Sequence, residues 1–240
     1  MRLSAAILSI SLLAAPAFAQ AAAQSNPGPA AGVPDLLKRA LAAPASGQLF
    51  AYDFEDRIED KDGQRTVRGR IDPTRKAGDR VTITYLDDER KKPYDMRQAD
   101  KKYEQNATGD IFCDTRSRED VTGVVDKGEA PGGGRLFGFI PKPEPQTEKM
   151  VRDLMTKMSA EAIVDEVSGL LRSFNATLLK AHKVNLFGEV RQATFSADCE
   201  ALPNGRAYTA RTDLTALIST MGKTYTQKTV QLITNVTPAG

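Results

Sequence analysis

Cys113 and Cys199 are the only cysteines in the chain and have the most sharply defined chemistry in it. An even pair in an oxidising compartment most simply forms one disulfide. A redox pair would sit as C-x-x-C, and zinc would need two ligands beyond the cysteines in a chain with the single histidine His182. His182 follows Leu178-Leu179-Lys180-Ala181 next to a turn, and no G-x-S-x-G occurs, so no nucleophile with its base is specified. Asp165, Glu166 and Asp213 offer a carboxylate pair that could act without histidine, as in glycosidases. They fall in turns or on polar strand faces, where ordinary solvation explains them. The acidic run Glu55, Asp56, Glu59, Asp60, Asp62, Gly63 lacks the alternating ligand spacing of a calcium loop and reads as a solvated strand face and turn. Gly132-Gly133-Gly134-Arg135 is followed by neither Gly-Lys-Ser/Thr nor a helix, so it reads as a flexible loop from Lys127 to Arg135 rather than a phosphate cradle. No catalytic residue, metal ligand or cofactor is expected.

Apolar chemistry is what remains. Leu136, Phe137, Phe139 and Ile140 form an apolar hinge hemmed by Pro141, Pro143 and Pro145. Met150, Leu154, Met155 and Met158 lie on one stripe of a helix expected from Thr147 to Met158, with Glu148 near its positive N-terminus. Methionine adapts to variable apolar ligands, so these eight residues are the candidate apolar-ligand site. The same residues would serve equally as core, and the two roles coincide if the cap of the sheet is also a pocket roof.

The elements that would position them are mostly strands. From Met158 to Val236 the pattern predicts an antiparallel meander with turns at Asp165-Glu166-Val167-Ser168-Gly169 and Pro203-Asn204-Gly205. Ala193, Phe195, Ala197 and Cys199 alternate with polar residues, as do Tyr208, Ala210, Leu214 and Ala216, and then Val230, Leu232 and Val236. An earlier β region has Phe50, Tyr52, Phe54 and Ile58, then Val67, Gly69 and Ile71, then Val81, Ile83 and Tyr85 on its apolar face. Its other face is densely charged, as a solvated face should be. A short helix is expected from Asp35 to Ala42, opened by Pro34 and stopped by Pro44, with a weaker one from Asp95 to Gln105.

The N-terminus has the layout of an export signal. Arg2 is a short positive region, Ile7 to Ala15 an apolar one, and Ala17-Phe18-Ala19 a cleavage site, which assigns residues 1–19 to a signal peptide. The apolar run is shorter than the roughly 20 residues a membrane span needs. No cysteine follows the cleavage site, so a lipid-anchored signal is not expected. An Ala-rich leader of this kind points to a bacterial periplasmic or secreted protein. Residues 20–33 read as a disordered lead-in, and 34–240 as a single domain. Losing Arg2 leaves 32 basic against 31 acidic side chains, a balance with no long-range pull toward nucleic acid or anionic membrane. The absence of tryptophan and an aromatic content of 6% argue against a sugar-stacking or aromatic-cage surface.

Signal peptide, short helix, antiparallel strands with Arg68-Gly69-Arg70-Ile71-Asp72-Pro73, central helix, then the Val164-to-Arg172 hairpin VDEVSGLLR and a meander: this layout resembles the periplasmic lipoprotein-carrier superfamily. The similarity covers Leu36 to Val236, with the VDEVSG turn its only local match. The chain departs from that family in having no tryptophan, and none of the family's functional residues is carried over. The resemblance implies a non-enzymatic pocket for an acyl chain or other apolar ligand. The fold expected is α+β: a strongly curved antiparallel half-barrel of seven or more strands, helices packed on its concave face, its halves stapled by Cys113 and Cys199. The partner expected is a lipid or other apolar small molecule. The alternative is an envelope interaction module that contacts a protein through its sheet edge or charged face.

Overall fold

The computed structural model describes residues 33–41, 48–91, 93–105, 107, 109, 111–113, 121–141, 149–185 and 188–239. The signal peptide and nearly all of the lead-in lie outside the described residues. Strand alternation organises most of what is described. The strands are β1 (Phe50–Asp60), β2 (Gly63–Ile71), β3 (Val81–Asp88), β4 (Val121–Glu129), β5 (Arg135–Pro141), β6 (Met158–Val164), β7 (Leu171–Leu178), β8 (His182–Asn185), β9 (Gly188–Ala201), β10 (Ala207–Thr220) and β11 (Lys223–Pro238). The helices are α1 (Asp35–Leu41), α2 (Met96–Glu104) and α3 (Lys149–Met155).

All eleven strands join one antiparallel sheet in the order β3-β2-β1-β11-β10-β9-β7-β6-β5-β4, with β8 paired to β9. The last strand, β11, inserts between β1 and β10 and so joins the two β regions read from the sequence. The expectation of an α+β half-barrel is corrected here. The molecule is mostly β, and its sheet is neither closed nor strongly curled. Helices of 7, 9 and 7 residues are a reason. At 1.5 Å per residue the longest is only about 14 Å, too short to act as an axle around which eleven strands could wrap.

Both hydrophobic cores lie on the same face of this sheet. One gathers α1 residues Leu37, Ala40 and Leu41 over Phe137, Phe139, Ala160, Ala162 and Ala176. The other gathers Ala99 and Tyr103 of α2 over Phe54, Val67, Ile71 and Ile83. α2 is fixed at its start by a reciprocal cap: the Gln98 N–H donates to Asp95 Oδ1 at 2.7 Å, and the Asp95 N–H donates to Gln98 Oε1 at 3.2 Å. Cys113 and Cys199 are bonded, with Cα atoms 6.1 Å apart, tying the segment after α2 to β9. Cys113 donates its N–H to Ala207 O, and the Thr209 N–H donates to Ile111 O, so the short stretch before the bridge pairs with the start of β10.

Several sequence boundaries move. Thr147 and Glu148 lie outside the described residues, and the expected helix ends at Met155. Met158 opens β6 instead, where Met158, Ala160, Ala162 and Val164 alternate inward. Its helical stripe and its strand phase overlap in sequence, and pairing with Leu178 of β7 captures it for the sheet. The expected loop from Lys127 begins inside β4, which runs to Glu129, and Leu136 to Ile140 is strand rather than hinge. The three glycines turn the β4–β5 hairpin with φ of 86°, 86° and 89°. In β11 the buried side is Gln227, Thr229 and Ile233, not Val230 and Leu232. Asn235, at φ 52°, marks the bulge that shifts the phase and returns Val236 to the core side.

Candidate ligand-binding face

Register pairs place the inward side chains of successive strands in lateral rows. One row runs Arg65, Ile58, Thr229, Leu214, Phe195, Ala176, Ala160, Phe139, from β2 to β5. The neighbouring row runs Val67, Asp56, Gln231, Thr212, Ala197, Phe174, Ala162, Phe137. Both rows carry polar side chains between β2 and β10, Arg65 and Thr229 in one and Asp56, Gln231 and Thr212 in the other, and both are apolar from β9 to β5.

In the apolar half, phenylalanines stand on a floor of alanines. Phe139 and Phe174 have ring centroids 6.0 Å apart, and Phe174 and Phe195 are again 6.0 Å apart. These three rings step diagonally across four strands, and each aromatic contact adds to simple area burial. Phe139 is buried, whereas Phe174 and Phe195 are only half-buried. The structure divides the eight candidate residues. Phe137, Phe139 and Met158 are buried in this core, and Leu154 packs against it. Leu136 and Ile140 alternate to the opposite face, where Ile140 is 44% exposed. Met155 is half-buried on α3, and the side chain of Met150 lies outside the described residues. Phe174 and Phe195 complete the aromatic line and are not among the eight. Their only sequence signal is phase, since Phe195 shares its face with Ala193 and Ala197.

The polar half centres on Asp56, Arg65, Tyr94, Lys102 and Tyr103, a group the sequence reading misses. Asp56 is buried, and Gln231 Nε2 donates to its Oδ1 at 3.0 Å. Burial pushes its carboxyl above the usual range, against the pull of Gln231, Tyr103, Arg65 and Lys102. Burial, and the Asp56 carboxyl beside it, drive the ionisation of the Tyr103 hydroxyl upward. Arg65 is 2% exposed, and its Nε and Nη1 find no hydrogen-bond partner. Three cations surround the Tyr94 ring: Arg65 and Arg90 at 4.8 Å and Lys102 at 5.2 Å from the centroid. Burial alone would raise the Tyr94 phenol, but Lys102 and Arg65 hold it below its ordinary value. Lys102 donates to the Tyr94 oxygen at 3.3 Å, and burial lowers the ammonium. Arg90 is already committed, donating through Nε and Nη2 to the two Asp88 oxygens at 2.7 and 2.6 Å. One signal for this group is legible: Asp56 falls in phase with Phe54 and Ile58, and Arg65 with Val67 and Ile71.

The other candidates separate in space or settle into structural roles. Lys157 Nζ lies 2.7 Å from Nδ1 of the buried His182, within hydrogen-bond distance. Asp165 Oδ1 accepts from the Val167 and Ser168 N–H groups and the Ser168 hydroxyl, closing its turn and holding the carboxyl below its usual range. Asp213 is held by Arg211 at 2.5 and 2.8 Å, and Glu166 lies 3.9 Å from Arg135. Among the described residues no three His, Cys, Asp or Glu side chains group to hold a metal ion. No helix among the described residues is long and apolar enough to cross a membrane. The disulfide fits an exported protein. No family model, curated protein or solved structure matches the chain.

Proposed function

We propose that this is a non-catalytic binding protein, exported to the bacterial periplasm or secreted after cleavage behind Ala19, that holds an apolar ligand of lipid or acyl type. The ligand lies on the covered face of the sheet, along the rings of Phe139, Phe174 and Phe195. One observation carries the reading: two of these three rings are half-buried, although they sit on an alanine floor in the middle of a face whose flanks are covered. Rows of alanine leave room between rings that a chain of methylenes fills, and burying apolar surface there stabilises a complex by about 25 cal/mol per Å².

A protein-contact role for the sheet edge is the rival reading. β4 is an edge strand, but its pairing with β5 is broken by two register shifts, and Gly123 and Gly128 lie in it at positive φ. Irregular edges of this kind resist pairing with another chain.

Native mass spectrometry of protein purified without detergent, followed by solvent extraction, tests the proposal. Co-purifying acyl lipid, or saturable uptake of an added one, is the expected result. Protein that stays empty with every acyl lipid offered would overturn it.

A further inference from the structure

We propose that the ligand of this face is a single-chain amphiphile with a carboxylate head, a fatty acid, whose head is held by Arg65 and Lys102 beside Tyr94. This rests on the apolar-ligand reading above and adds the head-group chemistry to it.

The polar cluster is built to receive an anion. Arg65, Arg90 and Lys102 converge on one phenol ring, yet only Arg90 has a full two-point carboxylate partner, Asp88. The nearby Asp56 is already engaged by Gln231. A guanidinium that is 98% buried with two nitrogens lacking hydrogen-bond partners is unusual, because buried polar groups are nearly always satisfied. A carboxylate is the natural complement, since guanidinium and carboxylate match in charge and in bond direction.

The same row carries the head-group cation and the apolar floor. Arg65, Ile58, Thr229, Leu214 and Phe195 are successive register partners. Four inter-strand steps of about 4.8 Å separate the first from the last, a span of ~19 Å, so an acyl chain anchored at Arg65 meets the line of rings at Phe195, its near end. Thr229 Oγ1, midway along the row, is buried and also lacks a hydrogen-bond partner. Charge at one end and aromatic rings at the other define the amphiphile and its polarity along the sheet.

Binding of dodecanoate, 1-dodecanol and acetate to the full mature chain by titration calorimetry, repeated with Arg65→Met and Lys102→Met, tests this. Dodecanoate should bind wild type at least about tenfold more tightly than dodecanol, and each variant should shrink that preference to less than about threefold without weakening dodecanol. If Arg65→Met does not fold, Lys102→Met and the wild-type comparison still decide. Equal binding of dodecanoate and dodecanol by wild type overturns the carboxylate anchor while leaving the apolar-ligand reading intact. Acetate competing as well as dodecanoate overturns the shared head-and-chain site. Failure of both chain ligands to bind overturns both readings.

Discussion

Asp56 of β1 and Arg65 of β2 stand on adjacent lateral rows of one covered face, with Asp56 taking its hydrogen bond from Gln231 and Arg65 lying against the Tyr94 ring. Acid and base are thus buried side by side but bound to different neighbours. The stability of this half of the molecule is therefore tied to pH through Asp56.

The folded-state value of Asp56 is raised by burial, so the native state binds its proton more readily than the unfolded chain does. Its contribution is fullest below the unfolded value, near 3.8, and is lost as pH rises through the raised folded value. Asp56→Asn keeps an oxygen for Gln231 and removes the titration. It should be more stable than wild type at pH 7, with the advantage vanishing by about pH 4. Urea denaturation of both proteins across that range measures it, and an advantage independent of pH would contradict the account.

Gly69 should tolerate no side chain. A Cβ there would lie 2.6 Å from Thr82 O and 2.9 Å from two carbons of the Phe54 ring, which packs on the bare glycine backbone. Gly69→Ala should cost roughly 1–3 kcal/mol, the ordinary range for overpacking a filled core. A thermal melt of the variant reads this directly, and an unchanged midpoint would show that Phe54 can move aside.

The Cys113–Cys199 bond closes a loop with a sequence separation of 86. In the chain-entropy account this stabilises the fold by roughly 4–5 kcal/mol, chiefly by restricting the unfolded chain. The Cys113→Ala/Cys199→Ala double variant should lose about that much in denaturant titrations, and wild type under reducing conditions should approach the same midpoint. A shift below ~1 kcal/mol would show that the loop is restrained even without the bond.

Phe174 joins the other two rings, so Phe174→Leu keeps apolar volume but breaks both aromatic contacts. A loss of roughly 1–3 kcal/mol in stability is expected from two such pairs, together with weaker binding of acyl ligands. Chemical denaturation and dodecanol titration of the same variant separate the two effects.

Period-two alternation made most strands legible, because Phe50, Tyr52 and Phe54, or Ala193, Phe195 and Ala197, can share one face only in extended chain. β4 was not legible: as an edge strand it exposes most of its residues and carries no alternation to read. The buried face of β11 was misassigned because its inward residues, Gln227 and Thr229, are polar, and because the bulge near Asn235 shifts the phase beyond it. The candidate face was only half visible. Phe137 and Phe139 announce themselves in an apolar run, but their alignment with Phe174 and Phe195 depends on strand register, which no local pattern encodes. Tyr94 and Lys102 meet Arg65 only because α2 folds back over β1–β3, a tertiary event.

The most direct measurement is NMR of the aromatic resonances and of the alanine, leucine and isoleucine methyls during addition of 1-dodecanol. The account predicts saturable shifts confined to Phe139, Phe174, Phe195, Ala160 and Ala176 on the covered face. Shifts at Leu136 and Ile140 on the opposite side of β5, or none anywhere, would contradict it.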